Sequence, residues 1–115
     1  MKIPIIIKSN KILDRLGWFM RIGGITLWPW IIIRPYKGDI TINHEKIHIK
    51  QQQELLIIPF YLIYFLEWFI GLFMYGGPKK SYYNISFEKE AYENQHNMNY
   101  TNSRKTWSWL KYLAR

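Results

Sequence analysis

The longest uniform pattern in the chain is an apolar run from Leu55 to Tyr75, "LLIIPFYLIYFLEWFIGLFMY", whose one charge is Glu67. About 20 apolar residues cross the hydrocarbon core of a bilayer. A central carboxylate costs about 3 kcal/mol on insertion scales. Each Leu, Ile or Phe returns roughly 0.3 to 0.6 kcal/mol, and the run holds more than ten of them. The balance favours membrane association of an apolar helix over 55–75, with Pro59 near its start. The alternative is a buried helix in a soluble oligomer.

Glu67 is expected to have a structural role within that helix. Two arrangements satisfy a buried carboxylate there: an ion pair with an N-terminal lysine or arginine, or hydrogen bonds within the bundle.

Two short segments have the β-branched pattern of strands. "KIPIIIK" predicts one strand. "ITLWPWIIIRPY" predicts a second, extended strand that Pro29 interrupts, and a proline in a strand favours an edge or a bulge. This segment is the candidate for a sheet edge along which a substrate could add as a strand, and a core strand is the alternative that the segment taken alone favours.

The remaining patterns predict helices. The apolar spacing of "NKILDRLGWFMRIGG" predicts a helix that ends near Gly23 and Gly24. The segment "NHEKIHIKQQQELLII" predicts a helix capped by Asp39 or Thr41. A loop at "YGGPKKSYYN" follows the apolar run, and "FEKEAYENQHNM" then predicts a helix capped by Ser86. The last predicted element is an amphipathic helix over 102–114 capped by Thr101 or Ser103. Together these elements predict a single domain over 1–115 of the α+β class, mainly helical with a small N-terminal sheet.

Composition adds a basic, aromatic and cysteine-free character. The net charge is +8, aromatic residues make up 18% of the chain, and there are no cysteines, which excludes disulfides, thiolate zinc sites and cysteine nucleophiles. A basic excess indicates an anionic membrane surface or nucleic acid as partner. No RNA-binding signature is present. The C-terminal mixture of Trp107 and Trp109 with Lys105 and Lys111 is typical of a helix in an anionic headgroup layer.

The segment "HEKIH" holds two of the three histidines, four residues apart. On a helix, His44 and His48 share one face, so both imidazoles can reach one ion. Glu45 lies about 100 degrees round the helix and can reach a water on that ion. This is the H-E-x-x-H pattern of two zinc ligands and a general base. A bound zinc lowers the pKa of its water, and Glu45 would accept the proton. The alternative is that the two histidines lie on a solvated polar face of the helix and bind no metal.

A third protein ligand has to come from elsewhere in the chain. Glu54 turns off the ligand face and Glu67 lies far along the apolar helix, which leaves the acidic helix. Glu88 and Glu90 point about 200 degrees apart, so only one of them can face the metal. Glu88 shares its face with Ala91, Tyr92 and Gln95. Gln51 and Gln52 follow His48 on the ligand side, as second-layer hydrogen-bond partners or as a solvated face.

"HEKIH" followed by "EKEA" resembles the glutamate zincins. It is similar in particular to the membrane-embedded metallopeptidases of the CAAX-prenyl-processing and beta-lactam-sensor kinds. Their E-x-x-A/C-D pattern begins with the third zinc ligand, and it falls on Glu88 to Ala91, with Tyr92 in place of the aspartate. The continuation from His48 to Gln52 also resembles a group of small bacterial H-E-x-x-H proteins. The resemblance implies a zincin-like domain and a Zn²⁺ ion held by His44, His48 and Glu88.

The expected function is zinc-dependent hydrolysis of a peptide bond near a membrane surface, in a bacterial or phage-encoded protein. The expected partners are a peptide or protein substrate, juxtamembrane for instance, and the anionic membrane surface. Tyr83, Tyr92 and His96 are the candidates for an oxyanion donor, and Tyr92 is also a second-layer candidate. The alternative is a non-catalytic membrane-associated protein with a structural metal site or none.

Overall fold

Three short strands form one sheet in the order β1-β3-β2. The computed structural model describes residues 4–16 and 23–113. Strand β1 (Ile5–Lys8) pairs in parallel with β3 (Trp30–Ile33), and β2 (Gly24–Leu27) pairs with β3 in antiparallel fashion. Ile31 and Ile33 of the central strand are fully buried and pack against Ile49. The predicted small N-terminal sheet is therefore confirmed.

The prediction of one extended strand over "ITLWPWIIIRPY" is wrong. The chain turns at Trp28 and Pro29, through a cis peptide bond, and forms a hairpin. Proline has no N–H to donate to a ladder, which explains why the strand ends there. Only the first half of the segment, β2, lies at the edge of the sheet, and β3 lies in its centre.

Helices account for most of the remaining chain, so the protein is mainly helical and of the α+β class. Helix α1 is Asn10–Leu16, and the rest of its predicted extent up to residue 22 lies outside the described residues. The other helices, in chain order, are α2 (Asp39–Leu55), α3 (Ile57–Tyr75), α4 (Pro78–Tyr83), α5 (Ser86–Asn94), α6 (Tyr100–Ser103) and a 3₁₀ helix (Ser108–Tyr112).

Two predicted helix caps are wrong. The residue before α2 is Gly38, and the residue before α5 is Ile85, and neither provides a side-chain cap. Helix α2 ends at Leu55, and Leu56, with φ 67°, turns the chain sharply into α3. Within the described part of the chain, α3 is the one helix long and apolar enough to cross a membrane.

The predicted loop at residues 75–84 contains α4, which folds back against α3. Ser81 Oγ donates to the Trp68 carbonyl at 2.5 Å, and Trp68 Nε1 donates to the Pro78 carbonyl at 3.1 Å. A Cβ on Gly71 would lie 2.1 Å from Ser81 Oγ, so glycine is required for this close approach.

The predicted continuous helix over 102–114 is also wrong, and its last residues lie outside the described ranges. Helix α6 ends at Ser103, and the chain is not helical again until Ser108. Arg104, at the break, is buried in ion pairs with Glu54 and Glu90. These contacts account for the break, because they hold Arg104 towards the interior.

Glu67 hydrogen-bonds within the helical bundle, as one of its two predicted arrangements requires. Its carboxylate accepts from the Ser86 backbone N–H at 2.8 Å and from Ser86 Oγ at 2.7 Å. Helix α5 starts at Ser86, so a side chain from α3 caps it. The negative charge also faces the positive end of the α5 dipole.

Replacement of Glu67 with Ala should lower the free energy of unfolding by about 2 kcal/mol, because charge-assisted hydrogen bonds to the start of α5 are lost. Glu67→Gln keeps an acceptor and should lose less. Lys50→Ala, at an exposed position on α2, is the control and should change little. Urea unfolding followed by circular dichroism measures the difference, and equal stability of Glu67→Ala and the wild type would contradict the capping role.

Candidate metal centre

Helices α2 and α5 bring two imidazoles and one carboxylate together in the interior. Glu88 Oε1 lies 2.9 Å from His44 Nε2 and 3.1 Å from His48 Nε2. All three residues are 5% exposed or less. The four-residue spacing places both rings on the same side of α2, with centroids 5.0 Å apart. The structure therefore brings together the three residues predicted as ligands.

The other nitrogen of each imidazole contacts a glutamine. His44 Nδ1 lies 2.9 Å from Gln95 Oε1, and His48 Nδ1 lies 2.6 Å from Gln51 Oε1. Asn43 holds the segment that carries Gln95, because its side chain donates to the Gln95 carbonyl at 2.7 Å. Amide oxygens accept hydrogen bonds, so each Nδ1 donates to its glutamine and each Nε2 faces Glu88.

The orientation of the Gln51 amide is set by a buried polar chain. Gln51 Nε2 donates to Glu90 Oε1 at 2.9 Å and to the Phe87 carbonyl at 3.2 Å. Because Glu90 Oε1 and the Phe87 carbonyl are both acceptors, the amide nitrogen of Gln51 must face them, and its Oε1 faces His48. Arg104 in turn donates to Glu90 Oε2 at 2.5 Å and pairs with Glu54. Glu90 thus supports His48 indirectly and does not face the imidazole pair.

Glu45 lies beside the three converging groups. Its Oε2 is 3.7 Å from His44 Nε2, and its Oε1 accepts from Thr26 Oγ1 at 3.2 Å. His44, Glu45 and His48 offer ligand atoms within 4.8 Å of one another, so Glu45 could also reach an ion. Glu88 is much closer to both imidazoles, which favours Glu88 as the third ligand and Glu45 as a neighbouring base. A Cβ on Gly24 would lie 3.4 Å from the Glu45 carboxyl carbon, so β2 passes close to this group.

Two tyrosines complete the surroundings of the centre. Tyr64 Oη donates to Glu88 Oε2 at 2.6 Å. Sequence reasoning missed this contact because Tyr64 belongs to the apolar run, and its spacing reveals nothing about a partner on α5. Tyr92 packs edge-on against His44 with ring centroids 4.3 Å apart, and its hydroxyl lies 3.0 Å from that of Tyr82.

Gln52, predicted beside Gln51 as a second-layer residue, faces a different part of the structure. Its Oε1 accepts from the Trp28 N–H and its Nε2 donates to the Thr26 carbonyl, both at 2.7 Å. Tyr61 Oη donates to the same carbonyl at 2.5 Å. These bonds attach the edge strand β2 to α2 and α3. They also occupy two of the outward backbone groups that a substrate strand would use.

The pKa values follow from burial and from the mutual contacts of these groups. Burial opposes the charged form of His48, but the charge of Glu88 and the hydrogen bond to it outweigh burial and raise its pKa to about 9. The same balance raises the pKa of His44. Burial would raise the pKa of Glu88, yet the two imidazoles hold it well below its usual range. Burial raises the pKa of Glu45, the direction that a general base needs.

A cavity of about 170 Å³ opens beside the centre. Glu45, His48 and Glu88 reach its wall, and the rest is mostly apolar side chains of α1, β2 and α3. The described residues that line it do not include Tyr83, Tyr92 or His96, the predicted oxyanion donors. Its hydroxyl groups belong instead to Thr26, Tyr61, Tyr64 and Tyr82.

The convergence of ligand atoms is compatible with a divalent metal ion. Zinc binds histidine nitrogen at about 2.0 to 2.1 Å, and a tetrahedral arrangement separates ligand atoms by about 3.3 Å. The observed separations of 2.9 and 3.1 Å require shifts of a few tenths of an ångström. The paired Nδ1 atoms match the way metal-bound histidines are supported in proteins. Two nitrogens and a carboxylate oxygen therefore fit such an ion.

Neither protein-family models, nor curated proteins, nor solved structures matched the chain.

Replacement of Gln51 with Leu should weaken metal binding by about 10- to 100-fold, because it removes the hydrogen bond that fixes the His48 ring. Gln53→Leu changes an exposed glutamine of the same helix and is the matched control. Competition with a chromophoric chelator measures both affinities. Equal affinities for the two variants would contradict the support that Gln51 provides.

Proposed function

We propose that this protein is a zinc-dependent hydrolase of peptide bonds that acts near a membrane surface, in a zincin-like domain. One observation carries the proposal: both Nε2 atoms of the H-E-x-x-H pair converge on a single oxygen of Glu88, with Glu45 alongside. Burial of so many ionisable groups in a small protein is costly. Such clusters of perturbed groups concentrate at functional sites.

The residues fall into distinct roles. His44, His48 and Glu88 would hold the ion, which when bound would supply an acidified water and polarise the carbonyl of the bond to be cut. Glu45 would take the proton of that water and deliver it to the leaving amine. Thr26 holds the Glu45 carboxylate, and Tyr64 holds the free oxygen of Glu88.

The adjacent cavity favours a catalytic site over a structural one. Structural zinc sites are usually closed by four protein ligands, whereas catalytic sites have three and an open position. Glu45, His48 and Glu88 all reach a cavity large enough for a substrate side chain. An engineered apolar cavity of about 150 Å³ holds benzene, so a space of this size suits one ring-sized group.

Membrane association is supported by α3 and by charge. The helix has the length and hydropathy of a membrane segment, and the chain carries a net charge of +8. The cavity is lined in part by Tyr61, Phe65 and Trp68 of this helix. A juxtamembrane peptide is therefore the substrate class that we expect.

Replacement of Glu45 with Gln should reduce peptide hydrolysis by about 100-fold or more and leave zinc bound, because a general base contributes 10² to 10⁴ in rate. Glu88→Ala should instead lose the zinc. The measurements are cleavage of a peptide library in detergent and zinc content by elemental analysis. Absence of stoichiometric zinc in the purified wild-type protein would refute the enzyme, and a Glu45→Gln variant with full activity would refute the role of the base.

Zinc binding should release protons at neutral pH. In the metal-free protein the His48 pKa is about 9, so the ring is protonated at pH 7 and must lose that proton to bind zinc. The apparent affinity should therefore rise with pH until about 9. The raised pKa of His48 also contributes to the stability of the metal-free fold. This contribution is complete below about pH 6.5, the pKa of the histidine in the unfolded chain, and it is lost as the pH rises through 9. Calorimetry in buffers of different ionisation enthalpy counts the protons, and a heat independent of the buffer would contradict the prediction.

A further inference from the structure

We propose that α3 lies in the plane of an anionic lipid surface, with its outer face in the lipid, and does not cross the bilayer. The outer face consists of Ile58, Leu62, Phe65, Leu66, Phe69 and Phe73, which are each between 55% and 78% exposed. At 3.6 residues per turn these positions fall within about 100 degrees of the helix circumference. The proposal deepens the membrane association proposed above by naming the surface and its orientation.

The outer face is continuous and uncharged along the whole helix. Nineteen residues make α3 about 28 Å long. Soluble monomers rarely expose a contiguous apolar surface of more than a few hundred Å². A stripe of this length therefore indicates a surface that another phase or molecule covers.

The opposite face of α3 contacts protein near its start, in its middle and towards its end. Phe60 packs in the core with Phe87 near the start of the helix. Glu67 caps α5 in the middle, and Gly71 contacts Ser81 of α4 towards the end. One side of the helix is thus apolar and open, and the other side is attached to a polar domain.

This asymmetry argues against a spanning orientation. If the axis of α3 ran along the membrane normal, the elements packed beside it would enter the hydrocarbon. These include α4 with its exposed Lys79 and Lys80, and the cap between Glu67 and Ser86. Charged groups are costly at that depth. With the axis in the plane, only the outer face enters the lipid, as in interfacial helices.

Charge decides between lipid and a second copy of the chain as the occupant. Every copy carries a net charge of +8, so two copies repel each other, whereas an anionic surface attracts each of them. Lys79 and Lys80 lie four and five residues after the end of α3, in α4, and are exposed. With α3 in the plane of the surface, we expect these two lysines to contact lipid headgroups.

The orientation also places the cavity beside the lipid. Phe65 belongs to the outer face and also lines the cavity next to Glu45 and His48. Substrate would then enter the cavity laterally, from the lipid surface. This consequence rests on the proposed function, whereas lipid docking does not.

Depth measurements on single-cysteine variants test the orientation, since the natural chain contains no cysteine. Ile58→Cys, Phe65→Cys and Phe73→Cys are labelled with a nitroxide and bound to vesicles of phosphatidylcholine and phosphatidylglycerol. The expected result is the same shallow depth, about 5 to 10 Å, for all three labels. Lys50→Cys, exposed on α2, is the control and should report water.

Two results would overturn the proposal. A label at Phe65 near the bilayer centre, with shallow labels at Ile58 and Phe73, would show that α3 spans the membrane. Labels that stay in water and show dipolar coupling between molecules would show that a second copy covers the face.

Vesicle binding provides an independent measurement. The double change Lys79→Ala and Lys80→Ala should weaken binding to anionic vesicles by about 10- to 30-fold, at about 1 kcal/mol for each lysine. Phe69→Glu should also weaken it, while Tyr36→Glu, at a 64% exposed aromatic position, is the control. Glu45→Gln should bind vesicles like the wild type, so a failure of the enzyme proposal remains distinct from a failure of lipid docking. Binding that neither the double lysine change nor Phe69→Glu weakens would refute the docking surface.

Discussion

The rest of the structure depends on the buried carboxylate of Glu88. It accepts from both imidazoles through one oxygen and from Tyr64 through the other. Three helices therefore meet at one side chain: α2 through His44 and His48, α3 through Tyr64, and α5 through Glu88 itself. A buried ion of this kind is costly unless all its acceptor sites are satisfied. The contacts around Glu88 therefore fix the relative position of the three helices as well as the chemistry between them.

Contacts at several points of helix α5 fix its position relative to the other helices. Glu67 caps its start, Glu88 meets the imidazoles, and Glu90 is bound by Gln51 and Arg104. The geometry of the candidate centre is thus supported by a second layer of side chains, as an accurately positioned site requires. The break in the C-terminal helix belongs to the same arrangement, because Arg104 is directed inward to close the chain of contacts that begins at His48.

Helix α3 separates two environments. Its inner face supplies Phe60 to the core and Tyr64 to the candidate centre, and its outer face is a stripe of exposed aliphatic and aromatic side chains. A mean hydropathy over the whole helix does not distinguish these two faces. Their separation is what makes an in-plane position compatible with a polar site packed directly behind the helix.

The amino-acid sequence by itself determined the elements whose signal is local. The β-branched residues in "KIPIIIK", the length of the apolar run and the four-residue spacing of "HEKIH" depend on neighbours along the chain, and each reappears in the structure. A resemblance to known motifs predicts Glu88 as the third ligand, and the structure places its carboxylate 2.9 Å from His44. Only the tertiary structure decided that Gln51 supports His48 while Gln52 binds the edge strand, that Glu67 caps α5, and that Arg104 interrupts the last helix. These roles depend on partners 14 to 50 residues away or on the direction of a single amide, and periodicity along one segment carries no information about either.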